Sequence, residues 1–242
     1  MTTAAGHAGV FLLPPYARID FRIAPDEPNM AAKTERLLAA AHRAGAVVSL
    51  SHPFAECDGC GWRQPVPGVL DALEIWNGEQ GPQADAVALW DRLLRAGRHV
   101  TAVGASDWHR GPARMDAACV RVLAADLTPR AILDAIQRGR VIVMRNAETA
   151  PPAFVTHCGT REAGVGDTLK CKSSDTVLVD VALPGVLNAR ADLIWNGERV
   201  SSKPMGRGVA FAFPGSPGYG RIHVYEADGS AIAVTNPFYV VR

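Results

Sequence analysis

The chain changes texture at Pro151-Pro152. Before it, strand-like and helix-like segments alternate. After it, no helix-period segment of useful length occurs. Strand-like runs are "GVFLL" (9–13), "AVVSLS" (46–51), "LDALEIW" (70–76), "HVTAVGAS" (99–106) and "RVIVM" (140–144). Between them lie apolar residues at helical spacing in "MAAKTERLLAAAHRAG" (30–45), "PQADAVALWDRLLRAG" (82–97) and "LTPRAILDAIQRG" (127–139), each closed by a glycine stop. In the last, Thr128 is the expected N-cap and Pro129 the first helical residue. Strands alternating with helices predict right-handed crossovers and a parallel sheet or barrel over residues 1–148. Chemistry in such folds gathers at the C-terminal ends of the strands.

Residues 152–242 read as a separate, small β-sandwich. "TVLVDVAL" (176–183), "ADLIWNGERV" (191–200), "GVAFAF" (208–213), "GRIHVYEADGSAIAVT" (220–235) and "FYVV" (238–241) alternate like strands. Asn196-Gly197 and Asp228-Gly229 are type I′ hairpin signals.

Composition narrows the function classes. A formal net charge of +1 and the lack of a Lys/Arg cluster give no reason to expect a nucleic-acid partner. No apolar run reaches the ~20 residues of a membrane span, and "MTTAAGHAGVFLLPP" lacks the regions of a signal peptide. Five cysteines, an odd number, do not resemble a secreted disulfide framework, and a cytoplasmic location is expected.

Among the chemistry-bearing residues, "TAVGASDWHR" (101–110) sets Asp107 and His109 two positions apart at a strand end, where an extended backbone would turn both to one side. "VVSLSHPF" puts His52 directly after another buried strand, so it can converge with that pair. His42 reads as a solvated helix residue and His99 and His223 as structural, while His157 has Cys158 beside it but no other ligand-type group at metal spacing. Cys57 and Cys60 form a C-x-x-C in "ECDGCGW", open to a structural or substrate-lining loop, a metal ligand pair or a redox pair. Glu74 lies between the two candidate ligand segments, either reaching the site or anchoring a loop. Phosphate loops, G-x-S-x-G and H-E-x-x-H are absent from the sequence.

In order, "GHAGVF", "SLSHPF", "CDGCGW", "ALEIWNG", "ALWDRLLRAGRHVTAVGASDWHRG" and "LTPRAILDAIQRGR" resemble the PHP (polymerase and histidinol phosphatase) superfamily. The likeness is greatest to its carbaryl-hydrolase-like, metal-dependent phosphoesterase branch and spans nearly all of residues 6–145. It implies a partial (β/α)7-type barrel, within an α/β class, followed by the small β domain. It further implies two or three divalent ions (Zn, Mn or Fe) at the strand ends. By resemblance His7 matches the family's Gly-His ligand, His52 its His-Pro ligand, and Asp107 and His109 its final D-x-H, with Asp107 and His109 the catalytic candidates. The family's H-x-H strand, its Asp-His segment and its bridging Glu would lie ahead of His7, and this chain begins six residues before it. An incomplete barrel would expose a sheet edge, and a second copy of the chain is the partner expected to cover it.

Three functional readings follow. The first is a metal-dependent hydrolase of a small phosphoester, or a related ester or carbamate, with Arg110 either meeting an anionic substrate or facing solvent. The second is an N-terminally truncated, catalytically inactive remnant with an incomplete metal site. The third is a binding module on the β domain, using Trp195 and Tyr219.

Overall fold

The computed structural model describes residues 1–56, 59–112, 114–186 and 188–242. The first part of the chain forms β1 (Thr2–Thr3), β2 (Gly6–Phe11), α1 (Met30–Arg43), β3 (Val47–Leu50), β4 (Ala72–Asn77), α2 (Ala84–Arg95) and β5 (Thr101–Ala105). The five strands make one sheet in the order β1-β2-β3-β4-β5. Then come β6 (Cys119–Val122), α3 (Pro129–Gln137) and β7 (Val141–Met144). Each expected helix forms. Thr128 caps α3 by accepting from Ala131 N at 3.3 Å.

The expected (β/α)7-type barrel does not form, and the chain is β-rich. Among the described residues there are three helices against seventeen strands in three sheets. The reason lies in how the strands are connected. Among the described residues, only β4-α2-β5 is a helical crossover between neighbouring parallel strands. Helix α1 joins β2 to β3 and α3 joins β6 to β7, yet both strand pairs are antiparallel. The parallel β3–β4 pair is linked without a helix among the described residues. Alternation along the sequence therefore reverses strand direction twice, and a sheet that reverses cannot continue as a parallel barrel.

The remaining strands are β8 (Ala153–Cys158), β9 (Arg161–Ala163), β10 (Thr168–Lys170), β11 (Thr176–Ala182), β12 (Arg190–Trp195), β13 (Glu198–Pro204), β14 (Val209–Pro214), β15 (Gly218–Tyr225), β16 (Ala231–Thr235) and β17 (Phe238–Val241). A four-stranded sheet, β14-β11-β8-β9, faces an eight-stranded sheet built on β10-β17-β15-β16-β7-β6, with β12 and β13 extending from β15. Val177, Val179, Val181 and Phe211 of the smaller sheet pack with Leu193, Ile222, Val224 and Phe238 of the larger. Strands β6 and β7, which precede Pro151, belong to the larger sheet, so hydrogen bonds between β7 and β16 cross the change of texture. Asn196 and Gly197 both adopt positive φ (50° and 87°), as a type I′ turn requires. The Asp228-Gly229 turn differs from expectation. Only Gly229 is left-handed (φ 89°), and Glu226 N donates to Ser230 O to close a longer loop.

Two further expectations are corrected. Cys158 and Cys171 are disulfide-bonded, joining β8 to the residue after β10. The parity of the cysteine count says nothing about two thiols that folding brings face to face. Trp195 and Tyr219 offer no open aromatic platform, because Trp195 packs on Phe213 and Phe238 and Tyr219 is buried, bonded through its hydroxyl to Asp91. No helix among the described residues is long and apolar enough to cross a membrane.

The five-stranded sheet is locked to the eight-stranded one by buried polar groups. Asp91 of α2 meets Arg221 of β15 in a two-pronged pair, with Arg221 Nη2 donating to Asp91 Oδ2 at 2.9 Å. Arg221 is 1% exposed and its guanidinium lies 4.6 Å over the Trp90 ring. Its Nε donates to His223 Nε2, and Tyr219 donates to Asp91 Oδ1. Asn236, fully buried, does the same for the backbone. Its Oδ1 accepts from Ala102 N at 2.7 Å, and its Nδ2 donates to Ala102 O and Val141 O. One side chain thus stands in for a strand between β5 and β7.

Breaking one half of a buried pair leaves the other charge uncompensated. Arg221→Met is expected to lower the unfolding free energy by about 3–5 kcal/mol. Arg221→Met with Asp91→Leu should recover most of that loss, and urea unfolding of both variants checks it.

Candidate metal centre

Strand direction brings the candidate residues together. Strands β3, β4 and β5 are parallel, so their C-terminal ends share one edge of the sheet. Strand β2 runs the other way, which puts its first residues at that same edge. His7 is the second residue of β2, and His52 follows β3 by two positions. Ser51 N donates to His7 O at 3.2 Å, which sets the two histidines side by side. Their ring nitrogens, His7 Nδ1 and His52 Nε2, are 3.2 Å apart. Asp107 comes two residues after β5, and its Oδ1 is 4.0 Å from His52 Nε2. His109 Nδ1 is also 4.0 Å from Asp107 Oδ1. His7, His52, Asp107 and His109 all line one cleft of about 960 Å³.

Asp107 and His109 arrive there differently from the sequence expectation. Asp107 has φ 49°, in the left-handed region, so the alternation of an extended strand does not apply to the pair. His109 folds back instead, its Nδ1 lying 2.6 Å from Asp107 O. A carbonyl only accepts, so Nδ1 carries the proton and the neutral ring keeps its lone pair on Nε2. His52 is also left-handed, at φ 27°. Positive φ at two non-glycine residues of one cleft is backbone strain of the kind found at functional sites.

The donor set suits a divalent ion in part. Metal–imidazole bonds of about 2.0–2.1 Å place two nitrogen ligands of one ion roughly 3–4 Å apart. The His7–His52 gap falls in that range, while the 4.0 Å gap to Asp107 is at its wide end. Burial, then the neighbouring His52, lowers the pKa of His7, which keeps its lone pair available. His52 is 4% exposed, and its Nδ1 has no hydrogen-bond partner. Three ligand-type atoms lie within 4.8 Å of one another only in Cys158, Cys171 and Asp175 among the described residues. There both sulfurs are committed to the disulfide, so that trio offers no thiolate.

Glu74 belongs to the site, although the sequence left its role open. It is 5% exposed on β4, accepts from Asn77 Nδ2 at 2.7 Å, and takes a hydrogen bond from the His52 backbone. That bond ties the strained turn at His52 to the neighbouring strand. Burial pushes the Glu74 carboxyl up to about 7. Cys60 lines the cleft, while Cys57 lies outside the described residues. Arg110 is exposed and does not line the cleft, whereas Arg63, which no motif singles out, does. His157 faces Glu162 and Asp180 on the four-stranded sheet, and His223 is enclosed by Arg221 and Tyr225.

No protein-family model matches this chain, and neither a curated protein nor a solved structure does so.

The Glu74 carboxyl rises from 4.5 in the unfolded chain to about 7 in the fold, so the folded protein holds the proton more tightly. Stability is then full below about pH 4.5 and is lost as pH rises through 7. In chelator-treated protein the loss should approach about 3 kcal/mol by pH 8. Glu74→Gln should flatten that profile, as read by denaturant unfolding across the pH range.

Proposed function

We propose that this chain is a metal-dependent hydrolase that cleaves a phosphoester, or a related ester or carbamate, in the cleft of His7, His52, Asp107 and His109. The observation that carries this reading is the convergence of four ligand-type side chains from three separate strand ends on one cleft. The resemblance to PHP phosphoesterases points the same way, and the motifs that carry the likeness are the ones that supply these residues.

His7 and His52 are the pair that would hold one divalent ion (Zn, Mn or Fe), with Asp107 holding a neighbour. When bound, such ions supply Lewis acidity and bring the deprotonation of water close to neutral pH. The chain's own groups do the rest. Glu74 and Asn77 hold the His52 turn in place. Asp107, half exposed, presents a carboxylate that can accept a proton from attacking water. His109 is 78% exposed and its Nδ1–H is held by Asp107 O, so its Nε2 can take a proton from water and pass it on to the leaving group.

The spread of the four residues favours a second reading, a non-catalytic protein that binds metal weakly, since no three of their donor atoms cluster tightly. Metal analysis and turnover decide between them. The hydrolase reading expects Mn or Zn to co-purify or load, and turnover of bis(p-nitrophenyl) phosphate or p-nitrophenyl phosphate. Asp107→Ala should then reduce kcat about 100-fold or more. Protein that takes up no metal and turns over neither phosphate ester nor p-nitrophenyl acetate would establish the non-catalytic reading.

A further inference from the structure

We propose that Arg63 is the specificity-determining residue of this cleft, receiving an oxyanion of the substrate. The inference rests on the hydrolytic reading above, and it concerns which charge the cleft selects.

Charge is the first ground. Among the described residues that line the cleft, Arg63 is the only side chain with a permanent positive charge, and Asp107 is the only carboxylate. Arg63 has no hydrogen bond or ion pair with another described residue. Eight other arginines each face a carboxylate: Arg22, Arg114, Arg130, Arg140, Arg145, Arg190, Arg199 and Arg221. A guanidinium that lines the same cleft as three histidines and has no carboxylate partner leaves its planar fork available to an incoming oxyanion.

Placement is the second ground. The backbone that carries Arg63 is anchored at both histidines. Trp62 N donates to Pro53 O at 2.8 Å, the residue after His52. Trp62 also packs on Gly6, the residue before His7, so closely that a Cβ at Gly6 would stand 2.9 Å from the Trp62 ring. Gly6 has φ 117°, a conformation that glycine adopts at little cost. Gly61 approaches Ala55 with equal closeness, since a Cβ there would lie 2.6 Å from Ala55 O. The Trp62 indole donates to Pro65 O and closes the turn on its far side. Arg63 therefore extends from a clamped backbone whose contacts are the immediate neighbours of His7 and His52. The Arg110 alternative lacks this placement.

The test reads binding of inorganic phosphate by isothermal titration, with and without added Mn, alongside kcat/KM for p-nitrophenyl phosphate and p-nitrophenyl acetate. Arg63→Gln should weaken phosphate binding about tenfold, with Arg63→Lys intermediate because it keeps the charge but loses the fork. The preference for the phosphate ester over the acetate should fall by a similar factor, mainly through KM. Arg63 is exposed, so an unchanged melting temperature will show that the variants fold. Phosphate binding equal to wild type in Arg63→Gln overturns the proposal, as does a loss that appears in Arg110→Gln instead. Absence of phosphate binding by the wild-type protein overturns it too. If phosphate binds through Arg63 but no ester is turned over, the anion subsite stands and the hydrolase reading fails.

Discussion

The Asp91–Arg221 pair is the contact on which the arrangement of the two sheets depends. A carboxylate and a guanidinium buried at 6% and 1% exposure are tolerable only if each fills the other's hydrogen-bonding capacity. Here the fork is complete, the Trp90 face covers the cation, and Tyr219 and His223 occupy the remaining positions. His223 is pushed well below its usual pKa by burial first and by Arg221 second, so it remains a neutral acceptor beside a cation. Such a cluster is satisfied in one geometry. It fixes α2 against β15 and, through α2, the direction of β4 and β5.

That direction determines what the edge of the five-stranded sheet can carry. Asn236 completes the fixation by bonding the β5 backbone as another strand would, so β5 cannot slide past β7. With the strand ends held, the chain can sustain two left-handed non-glycine residues, His52 and Asp107, at a cost of about 1–3 kcal/mol each. Glu74 shares the load by accepting from the His52 backbone while buried itself. Stability is thus spent at the same edge where the histidines gather.

Much of the local structure was legible in the chain. Helices α1, α2 and α3 follow from apolar spacing and glycine stops, and the Thr128-Pro129 cap behaves as its residue types demand. The Asn196-Gly197 turn is equally direct, because few residue pairs accept two positive φ values. His52, Asp107 and His109 were legible as types at strand ends and His7 only through the family resemblance, and the four do share a cleft. Strand β6 was not legible, since Cys119–Val122 is short and half-buried throughout. The Asp228-Gly229 loop misled because one glycine satisfies several turn types. Arg63 gave no signal, as an arginine after a Gly/Trp-rich loop reads like any solvated cation.

The elements and the chemistry available to them follow from the order of residues. Periodicity, caps and turn residues act over a few positions, and a histidine after a buried strand is visible without a fold. The strand directions, and with them the β-rich architecture in place of a barrel, arise only when the chain has folded. Direction is set by which buried partners meet across more than a hundred residues, as Asp91 and Arg221 do, and no local pattern encodes that meeting. The Cys158–Cys171 bridge, the pairing of β7 with β16, and the approach of Trp62 to Gly6 are decisions of the same kind. Each depends on distances through space that the order of residues along the chain does not contain.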